Sequence, residues 1–444
     1  MFEGDYQIHI LLNRIYMASE LLNQDQLYVW HPFTQMLNQP IPLGIVKAKD
    51  CSLIAEDGKI YLDCNSSWWV NIHGHGHPYL KEALINQFDE IDHVIFAGVT
   101  HPKAVELSSK ILKVLPKSLS KVFFSDDGST AVEVALKMAF QYWHNKQENK
   151  KRIVAIEGAY HGDTFGAMSI SQRGYFNQPF EHLFFDVDYL DFPSKVNEDD
   201  VLIEAQQLFQ TNEIAAIIVE PLIQGSAGMR MYSSSFLDRL VDLAKSANVL
   251  VIFDEVMTGW GRTGRLFAMD YLEEKPDIVC LSKGLTGGVI PLGLTITSDK
   301  IYEAFLAEEK TKALLHGHSF TGNALACAVA SANLDLVVHP SFDLQLKRIS
   351  KQHRFFAEKI KGHKNLKEVR QLGTIIAFEI KLEETSSYFS SIRDKAYEFF
   401  LSKGLLIRPL GNIVFLNPPY CTTNNELELM YKGIEEFLNL IDFK

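Results

Sequence analysis

Val249-Leu250-Val251-Ile252-Phe253-Asp254-Glu255 is a run of five apolar residues closed by two carboxylates. An apolar run with no polar residue inside it suits a strand buried on both faces, as in the middle of a parallel sheet. The pattern recurs on either side. Segments 121–125, 153–156, 215–219 and 278–281 are short apolar runs, separated by helix-like stretches such as 130–143 and 234–247. This alternation from about residue 120 to 300 predicts an α/β fold, a mainly parallel sheet wrapped by helices. Ligands of such sheets sit at the carboxyl ends of the strands. Polar and glycine-rich residues follow those ends here.

The chain changes character after about residue 335. Helix-like 342–361 leads to strand-like 374–380, helix-like 390–403, strand pieces 405–408 and 413–416, and a final helix 425–440. That is an α+β unit of its own. Residues 40–65 read as short strands with a turn at Glu56-Asp57-Gly58-Lys59, expected to join this second unit. The predicted division is an N-terminal segment 1–65 belonging with the small domain, a large domain 66–335 and a small domain 336–444. The acidic stretch within 197–205 reads as a solvated helix start, and no internal repeat stands out.

Composition narrows the class. A chain of 444 residues buries a large core. Its 47% apolar and 22% charged residues are those of an ordinary soluble enzyme. A formal charge of −12, without a Lys/Arg cluster, argues against nucleic acid as a partner. Five scattered cysteines with no CxxC pair form neither a disulfide framework nor a zinc site, so a reducing cytoplasm is the expected setting. The apolar stretches are too short to span a bilayer, so no membrane contact is expected. The first 25 residues lack a basic segment before their apolar patch, and no signal peptide is predicted. His73, His75 and His77 alternate like a metal stripe, but interleaved glycines and the lack of a nearby carboxylate favour a loop. No metal is predicted.

Lys283 follows Asp254 by 29 positions (283 − 254), in Leu281-Ser282-Lys283-Gly284-Leu285-Thr286-Gly287-Gly288. A lysine in a glycine-rich loop is commonly a plain surface residue. The pair also suits pyridoxal 5′-phosphate (PLP). The amine forms a Schiff base with the aldehyde, and the carboxylate keeps the pyridine nitrogen protonated so that the ring accepts electrons. Phe123 to Glu133 reads as strand, tight turn and helix start, where Gly128, Ser129 and Thr130 either bind a phosphate or merely cap. Tyr160 follows another strand and either stacks on a ring or packs the core. Glu220, after a further strand, is equally open. The segment His316-Gly317-His318-Ser319-Phe320-Thr321-Gly322-Asn323 precedes an alanine-rich helix, 324–332, and offers a second phosphate contact or plain capping.

Taken in order, these pieces resemble the class III (subgroup II) aminotransferases of PLP fold type I. The resemblance rests on SDDGSTAVEVALKMA at 125–139, AYHGDTFGAMS at 159–169 and EPLIQGSAGM at 220–229. It continues with FDEVMTGWGRTGRLFA at 253–268, LSKGLTGG at 281–288 and HGHSFTGNALACA at 316–328. Trp30-His31-Pro32-Phe33-Thr34-Gln35-Met36, Ser66-Ser67-Trp68-Trp69 and Arg408-Pro409-Leu410-Gly411-Asn412 resemble the branch of that family that serves biotin synthesis.

The resemblance implies a seven-stranded sheet in the large domain, PLP as cofactor, and a homodimer with shared active sites. It implies Lys283 as the Schiff-base lysine, Asp254 beside the pyridine nitrogen, Tyr160 on the ring, and Gly128 and Ser129 at the phosphate. Gly317 and Ser319 would reach the phosphate of the neighbouring subunit. Trp68, Trp69, Phe33, Gly317 and Phe415 would line the substrate cavity, and Arg408 would fork onto the acceptor's carboxylate. The implied reaction converts 8-amino-7-oxononanoate to 7,8-diaminononanoate with S-adenosylmethionine as amino donor. Lysine as donor, or an ornithine- or diamine-type ω-aminotransferase, is the alternative.

Some positions depart from the pattern. The family's HPY segment reads HPF here, with Phe33, and Phe415 stands seven residues after Arg408 (415 − 408) in place of a tyrosine. Two hydroxyls are absent from the implied cavity, which bears on the choice of donor. His318-Ser319 replaces a Pro-Thr pair but keeps a hydroxyl. Met17 puts the WHPF segment near its usual distance from a start, so residues 1–16 are expected to be a mis-assigned start or a dispensable extension.

Overall fold

The computed structural model describes residues 19–382 and 391–441; the expectation about residues 1–16 lies outside them. Three short strands come first, β1 (Ile45–Lys49), β2 (Ser52–Ala55) and β3 (Ile60–Asp63), with the turn at Asp57-Gly58 closing the β2–β3 hairpin. The main body follows with β4 (Leu119–Ser125), β5 (Arg152–Ile156), β6 (Val187–Leu190) and β7 (Ile214–Val219). A small hairpin, β8 (Ile223–Gln224) and β9 (Arg230–Met231), precedes β10 (Leu250–Asp254), β11 (Ile278–Leu281) and β12 (Gly293–Ser298). Seven of these form one sheet in the order β4-β12-β11-β10-β7-β5-β6. Only β12 runs against its neighbours β11 and β4; the other pairings are parallel.

The sequence dictates this sheet through side-chain alternation. Every residue of β7, β10 and β11 is buried. Successive residues point to opposite faces. Ile217, Val219, Val251 and Phe253 therefore join one apolar layer, and Ala216, Ile218, Leu250 and Ile252 the other. The helix Gly128–Asn145 covers the second layer with Ala131, Val132, Ala135 and Ala139, small residues that bring it close to the strands. Helices Glu198–Phe209 and Ser234–Ser246 cover the first. Each Ile or Val so enclosed contributes about 1.5–3 kcal/mol of transfer free energy.

The C-terminal residues form β13 (Leu366–Leu372), β14 (Ile375–Ile380) and β16 (Ile413–Leu416), an antiparallel sheet. Strand β15 (Leu405–Leu406) leaves it and pairs in parallel with β3, completing a sheet begun by residues 45–63. Two parts of the sequence about 340 residues apart thus share one sheet. The predicted helix 390–403 spans Ser391–Ser402; Ser390 lies outside the described residues. Among the described residues no single helix is long and apolar enough to cross a membrane.

Candidate active site

Residues that follow β4, β5, β7, β10 and β11 converge on a cavity of about 390 Å³, where an α/β sheet is expected to bind its ligand. Lys283 stands at its wall, directly after β11. Its φ is +45°, a left-handed conformation that a side chain of this size disfavours. The strain is held from both sides. Ser282 Oγ donates to Leu292 O at 2.7 Å, and Asn333 Nδ2 donates to Gly284 O and Leu285 O at 2.9 and 3.0 Å. Lys283 Nζ lies 4.6 Å from the centroid of the Trp69 ring and is in no ion pair among the described residues. Burial lowers its pKa from 10.5 to about 8; Asp254 and Glu220 oppose that shift and Arg262 adds to it. An amine with such a pKa is available as a nucleophile and proton carrier near neutral pH.

Asp254 ends β10 and is 5% exposed. Its Oδ1 accepts from Val256 N at 3.0 Å, and its Oδ2 accepts from His161 Nδ1 at 2.8 Å. That contact assigns the proton to Nδ1 and leaves His161 Nε2 buried without a partner among the described residues. Tyr160, beside it, donates its hydroxyl to Asp163 Oδ2 at 2.8 Å, and burial pushes its pKa up. Glu220, after β7, accepts from Tyr160 N at 3.1 Å and Gly225 N at 2.9 Å. Burial pushes its carboxyl up to about 7.

The helix Gly128–Asn145 opens onto the same cavity. Asp127 caps it by accepting from Thr130 N at 2.9 Å. Gly128 and Ser129, the first two helical residues, line the wall where helix N–H groups favour an anion. Gly162, at φ +129°, makes room for Ser129: a Cβ there would stand 2.1 Å from Ser129 Oγ.

A second group of predicted residues gathers around Trp69, which lines the cavity. Ser66, Ser67 and Trp69 all have positive φ (49°, 57° and 68°), an uncommon run for residues with side chains. Buried Asp63 holds the run by accepting from Ser67 N at 2.7 Å and Ser67 Oγ at 3.0 Å. His75 contacts the same carboxylate at 2.9 Å. Arg262 Nη2 donates to Trp69 O at 3.2 Å. The contortion turns Trp69 into the cavity, while Trp68 is 43% exposed. Trp68 packs on Phe33 at 5.6 Å between centroids, and the Arg408 guanidinium lies 4.9 Å from the Trp68 ring. Arg408 is in no ion pair among the described residues; its backbone N donates to Asn65 Oδ1 at 3.1 Å. Phe415 is buried edge-on behind Trp69 at 6.0 Å, so it shapes the wall through that tryptophan.

Gly317 and Ser319 are not brought into this cavity. They lie on an exposed loop, where His93 Nε2 meets Ser319 O at 2.6 Å and His318 Nε2 lies 3.9 Å from Asp126 Oδ1. The alternating histidines serve as packing and hydrogen-bond partners, His73 to Asn333 at 2.8 Å and His75 to Asp63. His161, Glu220 and Arg262 belong to the cavity region; the sequence left Glu220 open and gave the other two no role. All three stood inside the quoted motifs.

A buried amine, a fixed carboxylate, aromatic walls and a helix N-terminus in one cavity are the donor set for a phosphorylated electrophilic ring. The family described as aminotransferase class-III matches residues 34–438. The chain belongs to the class-III aminotransferases. The adenosylmethionine-8-amino-7-oxononanoate aminotransferase of Synechococcus elongatus is 43% identical over 93% of this chain and 99% of its own length. A solved structure of adenosylmethionine-8-amino-7-oxononanoate aminotransferase from Methanocaldococcus jannaschii superposes with a TM-score of 0.91 at 34% identity, covering 95% of this chain and 99% of that one. An amine transaminase from an uncultivated Pseudomonas species, solved in a PLP-bound form, gives 0.85 at 28% identity, with 93% and 98% covered.

As a class-III aminotransferase the chain is a PLP-dependent enzyme, and its residues fit the cofactor. The Lys283 amine is in no ion pair among the described residues, and the Asp254 carboxylate accepts from the buried His161 imidazole. The depressed lysine pKa has a measurable consequence in this aminotransferase once PLP is removed. Between pH about 8 and 10.5 the unfolded chain binds the Lys283 proton more tightly than the folded one. The destabilisation from burying that charge is therefore full below about pH 8 and fades as pH rises to 10.5. Lys283→Met should raise the Tm of the cofactor-free protein at pH 7, with the advantage shrinking across this window. Thermal scans of both proteins from pH 7 to 10.5 check it; a constant difference contradicts it.

Proposed function

We propose that this aminotransferase makes 7,8-diaminononanoate from 8-amino-7-oxononanoate in biotin synthesis, with S-adenosylmethionine as amino donor. The observation that carries the reading is a chain of contacts: the Arg408 guanidinium, in no ion pair among the described residues, lies on the Trp68 ring, and Lys283 lies on the ring of the adjoining Trp69. That spacing of a cation, an apolar wall and a reactive amine suits a substrate with a carboxylate, an alkyl chain and a distant ketone. The names of the near full-length relatives agree with it.

Bound PLP supplies an electrophilic aldehyde and an electron sink. Lys283 would hold its aldehyde carbon, Gly128 and Ser129 its phosphate, Tyr160 a face of its ring and Asp254 its ring nitrogen. Lys283 Nζ, partly neutral because burial lowers its pKa to about 8, takes the proton from the donor's α-carbon. Nζ later delivers a proton to C7 of the acceptor. The Val256 and His161 contacts fix the Asp254 carboxylate in the position from which it would face the ring nitrogen. Trp69, 7% exposed, excludes water from the amine, and Arg408 orients the acceptor by its carboxylate.

Arg408→Ala should raise KM for 8-amino-7-oxononanoate roughly 10–100-fold and change kcat little, as for loss of a hydrogen-bonded charge pair that binds ground and transition states alike. Steady-state kinetics over the acceptor concentration checks it; an unchanged KM contradicts the role.

Lysine as donor is the second reading. It is favoured by Phe33 and Phe415, which present no hydroxyl beside Trp68 or behind Trp69. Incubation of the holoenzyme with 8-amino-7-oxononanoate and each donor in turn tests both. Mass-spectrometric detection of 7,8-diaminononanoate with S-adenosylmethionine supports the first reading, and with lysine alone the second. Its absence with either, alongside turnover of a common keto acid, overturns the acceptor assignment.

The working unit is inferred to be a homodimer. Exposed Gly317 and Ser319 would there complete the phosphate site of the partner. Light scattering of the holoenzyme should return the mass of two chains, and a monomer mass at active concentrations contradicts this.

A further inference from the structure

Cys51 and Cys421 are 370 positions apart in sequence, yet their sulfurs are 3.4 Å apart. Cys51 is buried in the tight connection between β1 and β2, and Cys421 is exposed ahead of the helix Asn424–Leu440. The other three cysteines are buried, and two of them hydrogen-bond to backbone carbonyls, Cys64 to Leu62 O and Cys280 to Ala131 O. The pair is therefore distinct among the five. Gly74 closes over it at φ +78°; a Cβ there would meet Cys421 Sγ and Asp50 O at 2.6 Å each.

We propose that Cys51 and Cys421 are a redox-active thiol pair that a hydroperoxide converts to a disulfide, fastening the N-terminal sheet to the C-terminal segment. Exposure makes Cys421 the sulfur that the oxidant reaches. The Thr422 hydroxyl, which donates to Pro419 O at 2.6 Å, lies 3.1 Å from Cys51 Sγ. The Cys51 thiol lies close enough to donate to Cys421, which draws the Cys421 pKa down. Arg348, donating to Tyr420 O at 3.4 Å and also to Thr422 O, favours negative charge on both sulfurs, while Asp50 and Glu426 oppose it at Cys421.

The step balances with hydrogen peroxide as oxidant. The Cys421 thiolate attacks one peroxide oxygen; an S–O bond forms, the O–O bond breaks and hydroxide leaves. Cys51 sulfur, giving up its proton, then displaces the oxygen from Cys421. The S–S bond forms, the S–O bond breaks, and the oxygen departs as water. Two thiols are oxidised and one peroxide is reduced to two waters.

The crosslink bears on the mouth of the site. Asp63 N donates to Cys51 O at 2.8 Å, and the Asp63 carboxylate holds the strained Ser67 ahead of Trp68 and Trp69. A disulfide at Cys51 would stiffen that support.

The test treats the full-length holoenzyme with a small excess of hydrogen peroxide, then blocks free thiols and maps peptides without reduction. The expected result is loss of two of the five thiols, a linked peptide pair carrying Cys51 and Cys421, and a Tm rise of roughly 2–6 °C that dithiothreitol reverses. Cys421→Ser, a conservative change at an exposed position, should abolish the linked peptide and the Tm rise. Three results would overturn the proposal: no linked pair, equal thiol loss in Cys421→Ser, or Cys421 overoxidised while Cys51 stays free.

Discussion

Lys283→Ala is expected to lower transamination by at least ~10⁴-fold, because one amine serves as both covalent anchor and proton carrier. The two roles cannot be covered by neighbours. The carboxylates that act on Lys283 electrostatically, Asp254 and Glu220, are engaged in hydrogen bonds with His161, Val256, Tyr160 and Gly225. A general structural defect is separable from this loss. Removing a charge that burial disfavours offsets the packing lost with the side chain at pH 7. Unchanged far-ultraviolet dichroism with lost activity is the expected combination, and appreciable turnover in the variant would contradict the mechanism.

Asp254→Asn should lower kcat roughly 10²–10³-fold, the usual cost of losing one preorganised electrostatic contact at the reacting centre. The amide keeps the shape and can still accept from Val256 N, but it carries no charge to balance a protonated ring nitrogen. His161 shares in this effect as a positioning residue. His161→Gln leaves the carboxylate in place without its buried imidazole partner and should give a smaller loss. A visible spectrum of bound cofactor that shifts with pH in Asp254→Asn, and not in the parent, would separate loss of the ring-nitrogen partner from a packing defect. An Asp254→Asn variant with parental kcat sinks the assignment.

Much of the large sheet was legible because its strands are buried on both faces and read as unbroken apolar runs. The run 278–281 coincides with β11, and 413–416 with β16. Strand β10 begins one residue later than its apolar run and takes in Asp254, because the ladder to β11 continues through that aspartate. Strands β6, β12 and β13 were not foreseen. Strand β12, Gly293-Leu294-Thr295-Ile296-Thr297-Ser298, alternates threonine with aliphatics although all six residues are buried, since Thr295 Oγ1 donates to Ala131 O at 2.7 Å. Strand β13 carries Lys367, Glu368 and Arg370, and β6 carries Asp188 paired with Arg152. Charges masked both signals.

The candidate site divides in the same way. Lys283, Asp254, Tyr160, Gly128 and Ser129 could be picked out because each ends or follows a strand, and parallel strands bring their carboxyl ends together. Pairings across the chain could not be read. His161 meets Asp254 over 93 positions, Arg408 meets Trp68 over 340 (408 − 68), and Cys51 meets Cys421 over 370. Nothing in the local sequence encodes those distances. The bent backbone at Ser66–Trp69 was equally hidden, since its positive φ values are imposed by Asp63, Asn417 and Arg262 from outside the segment.

The most direct measurement of the central claim is the place where the cofactor joins the chain. Holoenzyme reduced with borohydride, digested and mapped by mass spectrometry should carry the pyridoxyl group on the peptide containing Lys283, with no label elsewhere. Label on another lysine, or none on a protein that still transaminates, would contradict the account.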